Sequence, residues 1–222
     1  MKLKKGIVVE EAYQEIKKMI YFNMLAPGQK IVYQDLAQRL NISVTPVIQA
    51  LNRLQLSNLV YYKSNRGYFV GEITETEAEG LYQAREALET YIVPIVIEKL
   101  KLNKVDNLIK VFKESKDVIV QKNGRALMIE DAEFHLKIAE YAENRIIYNF
   151  LKEIFEHIYL RYRPEYLTEE RIKEAIREHR EILISLEKDD PERSIYLFKK
   201  HIKNNLFHII EHLKRNKEIV FK

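Results

Sequence analysis

Cysteine is absent from this 222-residue sequence. That excludes disulfides, thiolate metal sites and cysteine nucleophiles, and it fits a reducing compartment. Glycine (6) and proline (5) are scarce. So few chain breakers argue against a turn-rich all-β fold and for long helices. No stretch approaches the roughly 18 apolar residues that a membrane span requires. The apolar run Ile7-Val8-Val9 is too short for a secretory signal. The expectation is a soluble, cytoplasmic protein with no membrane partner. No repeat of fixed period is visible. With 46% hydrophobic and 32% charged residues, the chain can bury a core and is not disordered. Its length suits two modest domains or one larger one.

Net charge is only +4, but it is unevenly placed. Residues 1–74 hold 10 Lys/Arg against 5 Asp/Glu, whereas residues 75–222 hold 27 against 28. A positive excess confined to the first third is what a module touching a polyanion would show. The organisation changes at the same point. Short elements separated by turn signals give way to long amphipathic patterns. Thr74-Glu75-Thr76-Glu77 has the form of a capping box, with Thr74 as N-cap. The expected domains are therefore residues 1–74 and 75–222.

The first domain reads as a winged helix-turn-helix. Tyr13, Ile16, Lys17 and Ile20 follow helical spacing and predict a helix near residues 8–22. Leu25-Ala26-Pro27-Gly28 is a turn. Leu36, Ala37 and Leu40 mark a short second helix, broken by Asn41-Ile42-Ser43. Ser43 or Thr45 can cap a third helix, with Pro46 in its first turn, where a missing N–H is harmless. Val47, Ala50, Leu51 and Leu54 form its buried stripe. Val44, Ile48, Gln49 and Asn52 lie largely off it. Two helices joined this tightly can place the second in a DNA major groove. Val60-Tyr61-Tyr62 and Tyr68-Phe69-Val70 flank a turn and predict a hairpin, with Arg66 and Gly67 at its tip.

These stretches resemble the DNA-binding domain of the GntR family. The resemblance rests on Leu25 to Gly28, on Leu36 through Leu51, on Leu59-Val60, and on Gly67 to Val70. It implies Gln34, Arg39, Val44, Thr45, Ile48, Gln49, Asn52, Arg53, Arg66 and Gly67 as DNA-contacting residues. Two family arginines are replaced, by Val44 and Ile48, and a family glutamate by Gln49. Arginine is the usual bidentate partner of guanine, and its loss weakens guanine reading. Gln49 and Asn52 suit adenine, and Val44 and Ile48 offer methyls to thymine. An A·T-leaning operator core is expected, with Arg39, Arg53 and Arg66 on the backbone. The bland alternative gives Val44 and Ile48 to packing against protein.

The second domain reads as an antiparallel bundle of about six helices, near residues 75–100, 104–122, 124–141, 144–162, 168–187 and 190–216. The fold class is thus mainly α. Asp131 and His135 stand four apart on one helix face and can chelate one ion. His179 and His201 lie beside apolar stripes, where an imidazole is more often a satisfied core group than a ligand. His157 and His212 read as ordinary residues, and Glu133 as solvated.

Asp131 to His135, Glu178-His179-Arg180-Glu181-Ile182 and His201-Ile202 are similar to the histidine runs of the FCD ligand-binding domain found in one GntR subgroup. Tyr82 through Glu89 looks like that domain's first helix. Three helices each offering an imidazole, plus one carboxylate, is also a suitable ligand number for a nitrogen–oxygen site. The resemblance implies a divalent metal (zinc, nickel or manganese) held by Asp131, His135, His179 and His201. It implies a small carboxylate effector beside the ion. Arg85 is the candidate effector arginine, and His208, on the His201 face, a candidate effector contact.

The function expected is a DNA-binding transcriptional repressor, a homodimer on a pseudo-palindromic double-stranded operator, with no catalytic residues. One alternative is a helical-bundle metalloenzyme whose Asp/His site activates water. Another is a basic module that binds DNA without specificity, its histidines merely core.

Overall fold

The structure, a computed structural model, describes residues 5–103, 124–163, 165 and 167–220. It is mainly helical. The chain divides into two compact units, one of residues 1–73 with 159–163, the other of 74–158 with 164–222.

The first unit contains α1 (Lys5–Tyr21), β1 (Lys30–Ile31), α2 (Tyr33–Leu40), α3 (Val44–Leu56), β2 (Val60–Lys63) and β3 (Gly67–Val70). Val47, Ala50, Leu51 and Leu54 of α3 are all fully buried. They meet Ile16 and Ile20 of α1 and Leu36 of α2 in one core. The 3.6-residue period put those four side chains on one stripe, and burial of that stripe fixes α3 against α1. Asn41 closes α2 in the left-handed region, at φ 53°, so the turn into α3 takes only three residues. Ser43 occupies the N-cap position of α3. Its side chain accepts no capping hydrogen bond, contrary to expectation, and Thr45 lies inside the helix rather than at its cap.

The hairpin is present, with Tyr62 opposite Tyr68 and Lys63 opposite Gly67. Gly67 adopts φ 91°, which a residue without Cβ takes at no cost. Sequence reading missed β1. Its two residues pair with Phe69 and Tyr68 of β3, giving the strand order β1-β3-β2. The shape of this unit rests on the α3 stripe. Leu54→Ala is therefore expected to cost about 2–5 kcal/mol in urea unfolding of the full chain.

The second unit is helical: α4 (Glu75–Asn103), α5 (Gly124–Tyr141), α6 (Arg145–Arg161), α7 (Glu169–Glu187) and α8 (Pro191–Val220). The last turn of α6 groups with the first unit. The helix expected at residues 104–122 lies outside the described residues. α4 packs against α5, α7 and α8, and α7 against α8. The capping signals work as their chemistry dictates. Thr74 Oγ1 accepts from Glu77 N at 3.2 Å, and Glu77 Oε2 accepts from Thr74 N at 3.1 Å. Asn144 caps α6 by accepting from Ile146 and Ile147, and Thr168 caps α7 by accepting from Arg171. Among the described residues, no helix is long and apolar enough to cross a membrane.

Candidate metal centre and DNA-reading face

Asp131 and His135 come from α5, His179 from α7 and His201 from α8. Helical spacing explains only the first two. Packing of α7 and α8 brings the others in. One ligand atom from each of the four lies within 4.8 Å of all the rest. His201 is the hub. Its Nε2 is 3.1 Å from His135 Nε2, 3.3 Å from His179 Nε2 and 3.6 Å from Asp131 Oδ1. Asp131 Oδ1 is also 3.2 Å from His179 Nε2. Ligand atoms about 2.0–2.1 Å from a shared ion, at tetrahedral or octahedral angles, stand about 2.9–3.4 Å apart. Four of its separations, 3.1–3.6 Å, are close to that edge length.

The opposite face of two rings decides their protonation. Glu89 Oε2 lies 2.5 Å from His135 Nδ1, and Glu178 Oε2 lies 2.8 Å from His201 Nδ1. An ionised carboxylate only accepts, so each Nδ1 carries the hydrogen. In the neutral rings, Nε2 is left with a bare lone pair. Two such lone pairs facing at 3.1 Å repel unless a proton or a cation lies between them. Carboxylates behind the imidazoles are the usual support of metal-binding histidines.

The carboxylates are themselves anchored. Arg85 Nε donates to Glu89 Oε1 at 2.7 Å, with both side chains fully buried. Arg171 Nη2 donates to Glu178 Oε2 at 2.6 Å, and Asn204 Nδ2 donates to Glu178 Oε1 at 2.5 Å. Arg171 also holds Asn205 Oδ1, whose amide nitrogen sits 2.9 Å from His201 Nε2. Phe134 stacks on the His179 ring at 3.9 Å.

Titration follows from these contacts. Burial works to raise Glu89, but the Arg85 guanidinium and His135 hold it down to about 2. Glu178 is likewise held at about 2 against burial by His201 and Arg171. Asp131 is half-buried, and hydrogen bonds from His179 and His201 take it well below the carboxylate range against the cost of desolvation. Burial, with His201 nearby, lowers His179 to about 3. Burial also lowers His135. His201 alone is raised, because Asp131 and Glu178 overcome its burial. In the metal-free chain His135 thus presents a bare Nε2, whereas His179 and His201 donate through Nε2 to Asp131, and those hydrogens must leave Nε2 for an ion to bind.

Arg85 belongs to this site. It is fully buried, with its guanidinium over the Phe155 and Tyr82 rings at 4.3 and 4.9 Å. Its Nη2 has no hydrogen-bond partner among the described residues. His208 does not join the cluster. Seven residues past His201, it lies about 10 Å further along the helix axis, and its ring packs on His212. Glu89, Glu178, Arg171, Asn204 and Asn205 escaped sequence reading. Only the i, i+4 spacing of Arg85 and Glu89 could have signalled one of them.

On the first unit, Gln34, Arg39, Val44, Thr45, Gln49, Asn52, Arg53 and Arg66 are exposed, and Ile48 and Gly67 half-buried. Several already have partners. Tyr68 Oη donates to Asn52 Oδ1 at 2.7 Å, which orients the amide and leaves its second lone pair and its NH₂ for a base edge. Arg53 pairs with Glu10 at 2.7 Å and lies over the Tyr13 ring, and must exchange Glu10 for a phosphate. Arg39 Nη2 is 3.5 Å from Met24 Sδ.

The FCD domain family model matches residues 80–204, and that of the bacterial regulatory proteins, gntR family, matches residues 8–70. This chain is a GntR-family regulator of the FCD subgroup. The HTH-type transcriptional regulator YdhC of Bacillus subtilis (strain 168) is 26% identical to this regulator over 203 residues, which is 91% of this chain and 89% of YdhC. The HTH-type transcriptional regulator McbR of Escherichia coli (strain K12) is 24% identical over 197 residues, 86% of this chain and 87% of McbR. The solved structure of E. coli McbR/YncC matches the fold with a TM-score of 0.75 at 19% identity, covering 92% of this chain and 98% of that one. GntR-family regulators bind DNA operators and typically act as dimers. The metalloenzyme alternative fails on these matches, because both families and the relatives are transcription regulators.

Proposed function

We propose that this GntR-family regulator is a repressor whose helical unit holds a divalent transition metal and is switched by a small monocarboxylate. Residues 1–74 form the operator-binding domain and residues 75–222 the sensing domain. Asp131, His135, His179 and His201 hold the ion, which is zinc, nickel or manganese. The observation carrying this reading is the convergence of three Nε2 atoms, two of them with a carboxylate fixed behind the ring.

Charge points to the effector class. Asp131, Glu89 and Glu178 are anionic, and Arg85 and Arg171 are cationic. A divalent ion turns the resulting single negative charge into a single positive one. A monoanion restores neutrality, and the buried Arg85 Nη2 offers donors suited to a carboxylate oxygen. Such an effector must favour one arrangement of the dimer if it is to alter operator affinity.

The operator is a pseudo-palindrome read by a homodimer, since one recognition helix covers only a half-site. Gln49, Val44, Thr45 and Ile48 read its bases, with Gln34, Arg39, Arg66 and Gly67 at the backbone. Asn52 joins them, and Arg53 does so after releasing Glu10.

Mobility-shift titration of the metal-loaded full chain on its own upstream DNA tests the reading. Specific binding is expected, and millimolar acetate or lactate should release it. Binding no tighter than to random duplex would overturn the regulator reading. Selection from random duplexes should return A·T-rich half-site cores, because methyl groups at Val44 and Ile48 replace guanine-reading arginines. Guanine-rich cores would refute that assignment.

A further inference from the structure

Asn205 follows His201 by four residues on α8, so the helix puts both on one face. Its amide is held in one orientation. Arg171 donates to Asn205 Oδ1 twice, from Nε at 3.1 Å and from Nη2 at 3.0 Å. A guanidinium offers only donors, so the atom facing it is the carbonyl oxygen. The NH₂ group is thereby turned the other way, and Nδ2 lies 2.9 Å from His201 Nε2. Arg171 is itself fixed, since it is buried and pairs with Glu178 at 2.6 Å. A hydrogen-bond donor is thus aimed at the atom on which the cluster converges.

His201 Nε2 does not satisfy that donor. In the metal-free chain the ring donates through Nε2 to Asp131, so two donors face one another. With an ion bound, the lone pair of Nε2 belongs to the metal. In both states the Asn205 NH₂ needs another acceptor, and leaving a half-buried donor without one is costly.

We propose that Asn205 is a specificity-determining residue for the effector, its NH₂ donating to a carboxylate oxygen held beside the ion. The inference rests on the carboxylate effector proposed above. A carboxylate has about four lone-pair sites, enough for the ion, Arg85 and Asn205 together. Arg171 takes no part in this contact. It acts through Asn205, as a positioning residue that keeps the donor, rather than the carbonyl oxygen, turned toward the anion. An amide oxygen in that place would repel it.

The test needs no DNA. The melting temperature of the zinc-loaded full chain is followed against acetate concentration, with zinc content counted alongside. Asn205→Leu removes the donor at similar size. Asn205→Asp keeps an oxygen on Arg171 and replaces the NH₂ by a second oxygen. Both should retain zinc, and both should need about 10–100-fold more acetate for the wild-type rise, the range expected for a hydrogen bond to a charged group. Acetate curves that coincide with wild type in both variants overturn the proposal, and if Arg85→Lys shifts the curve at the same time, the carboxylate reading itself survives. Loss of zinc from both variants also overturns it, because Asn205 then serves to hold the centre together. A wild-type chain indifferent to acetate overturns the carboxylate reading and this inference with it.

Discussion

His201→Ala is expected to strip tightly bound divalent metal from the chain. Its Nε2 is the shared vertex of the cluster, within 3.6 Å of the other three ligand atoms. Removing it leaves Asp131, His135 and His179 on α5 and α7, with no ligand from α8. Loss of a carboxylate behind a metal-bound histidine typically costs about 10–100-fold in affinity. Glu178→Gln should fall in that range, and His201→Ala should exceed it. Melting with and without excess zinc reads both. Metal at about 1,000 times its dissociation constant raises stability by about 4 kcal/mol, and His201→Ala should lose that gain.

The sign of the pH dependence follows from the same residue. The raised pKa of His201 means that its proton stabilises the metal-free fold below the ordinary histidine value, and that this stability is lost as pH rises through the raised one. A metal ion must displace that proton. Affinity should therefore weaken on acidification, with proton release visible by calorimetry in buffers of different ionisation enthalpy. His179 adds an opposite effect on the metal-free chain. Held neutral down to about 3, it costs stability as pH falls below about 6.5, where the unfolded imidazole gains a proton. Retained metal in His201→Ala would move the centre elsewhere.

What was legible in the sequence divides along the range of the interactions. Periodicity located α3, because Val47, Ala50, Leu51 and Leu54 answer to one local rule. Capping chemistry located the start of α4, since Thr74 acts within three residues of itself. β1 was invisible: a two-residue strand has no period, and only pairing with β3 defines it. The Asp131–His135 pair was visible as spacing. His179 and His201 were joined to it only through family resemblance, because helix packing rather than local sequence brings them together. Glu178 shows the limit most clearly. It neighbours His179 in sequence yet supports His201, 23 residues away. His208 marks the converse limit. Sharing a helix face with His201 does not bring it to the same point in space.

Arg85 carries the second large effect, and two substitutions separate its roles. Arg85→Met removes a guanidinium that is fully buried with Glu89. The Glu89 carboxylate is then buried without its cation. Breaking a buried pair from one side costs about 3–5 kcal/mol, and urea unfolding of the metal-free chain should show a loss of that size. Arg85→Met/Glu89→Gln should recover part of it, because the stranded charge is gone, and a double-mutant cycle would measure the coupling. Arg85→Lys is the more informative change. It keeps a cation beside Glu89 but loses the planar fork that leaves Nη2 free for a ligand. Metal content and operator affinity should remain close to wild type, while acetate or lactate loses at least a tenfold share of its power to release DNA. If Arg85→Lys responds to carboxylate at wild-type concentrations, Arg85 serves only to hold Glu89 behind His135. The effector then binds through the metal alone.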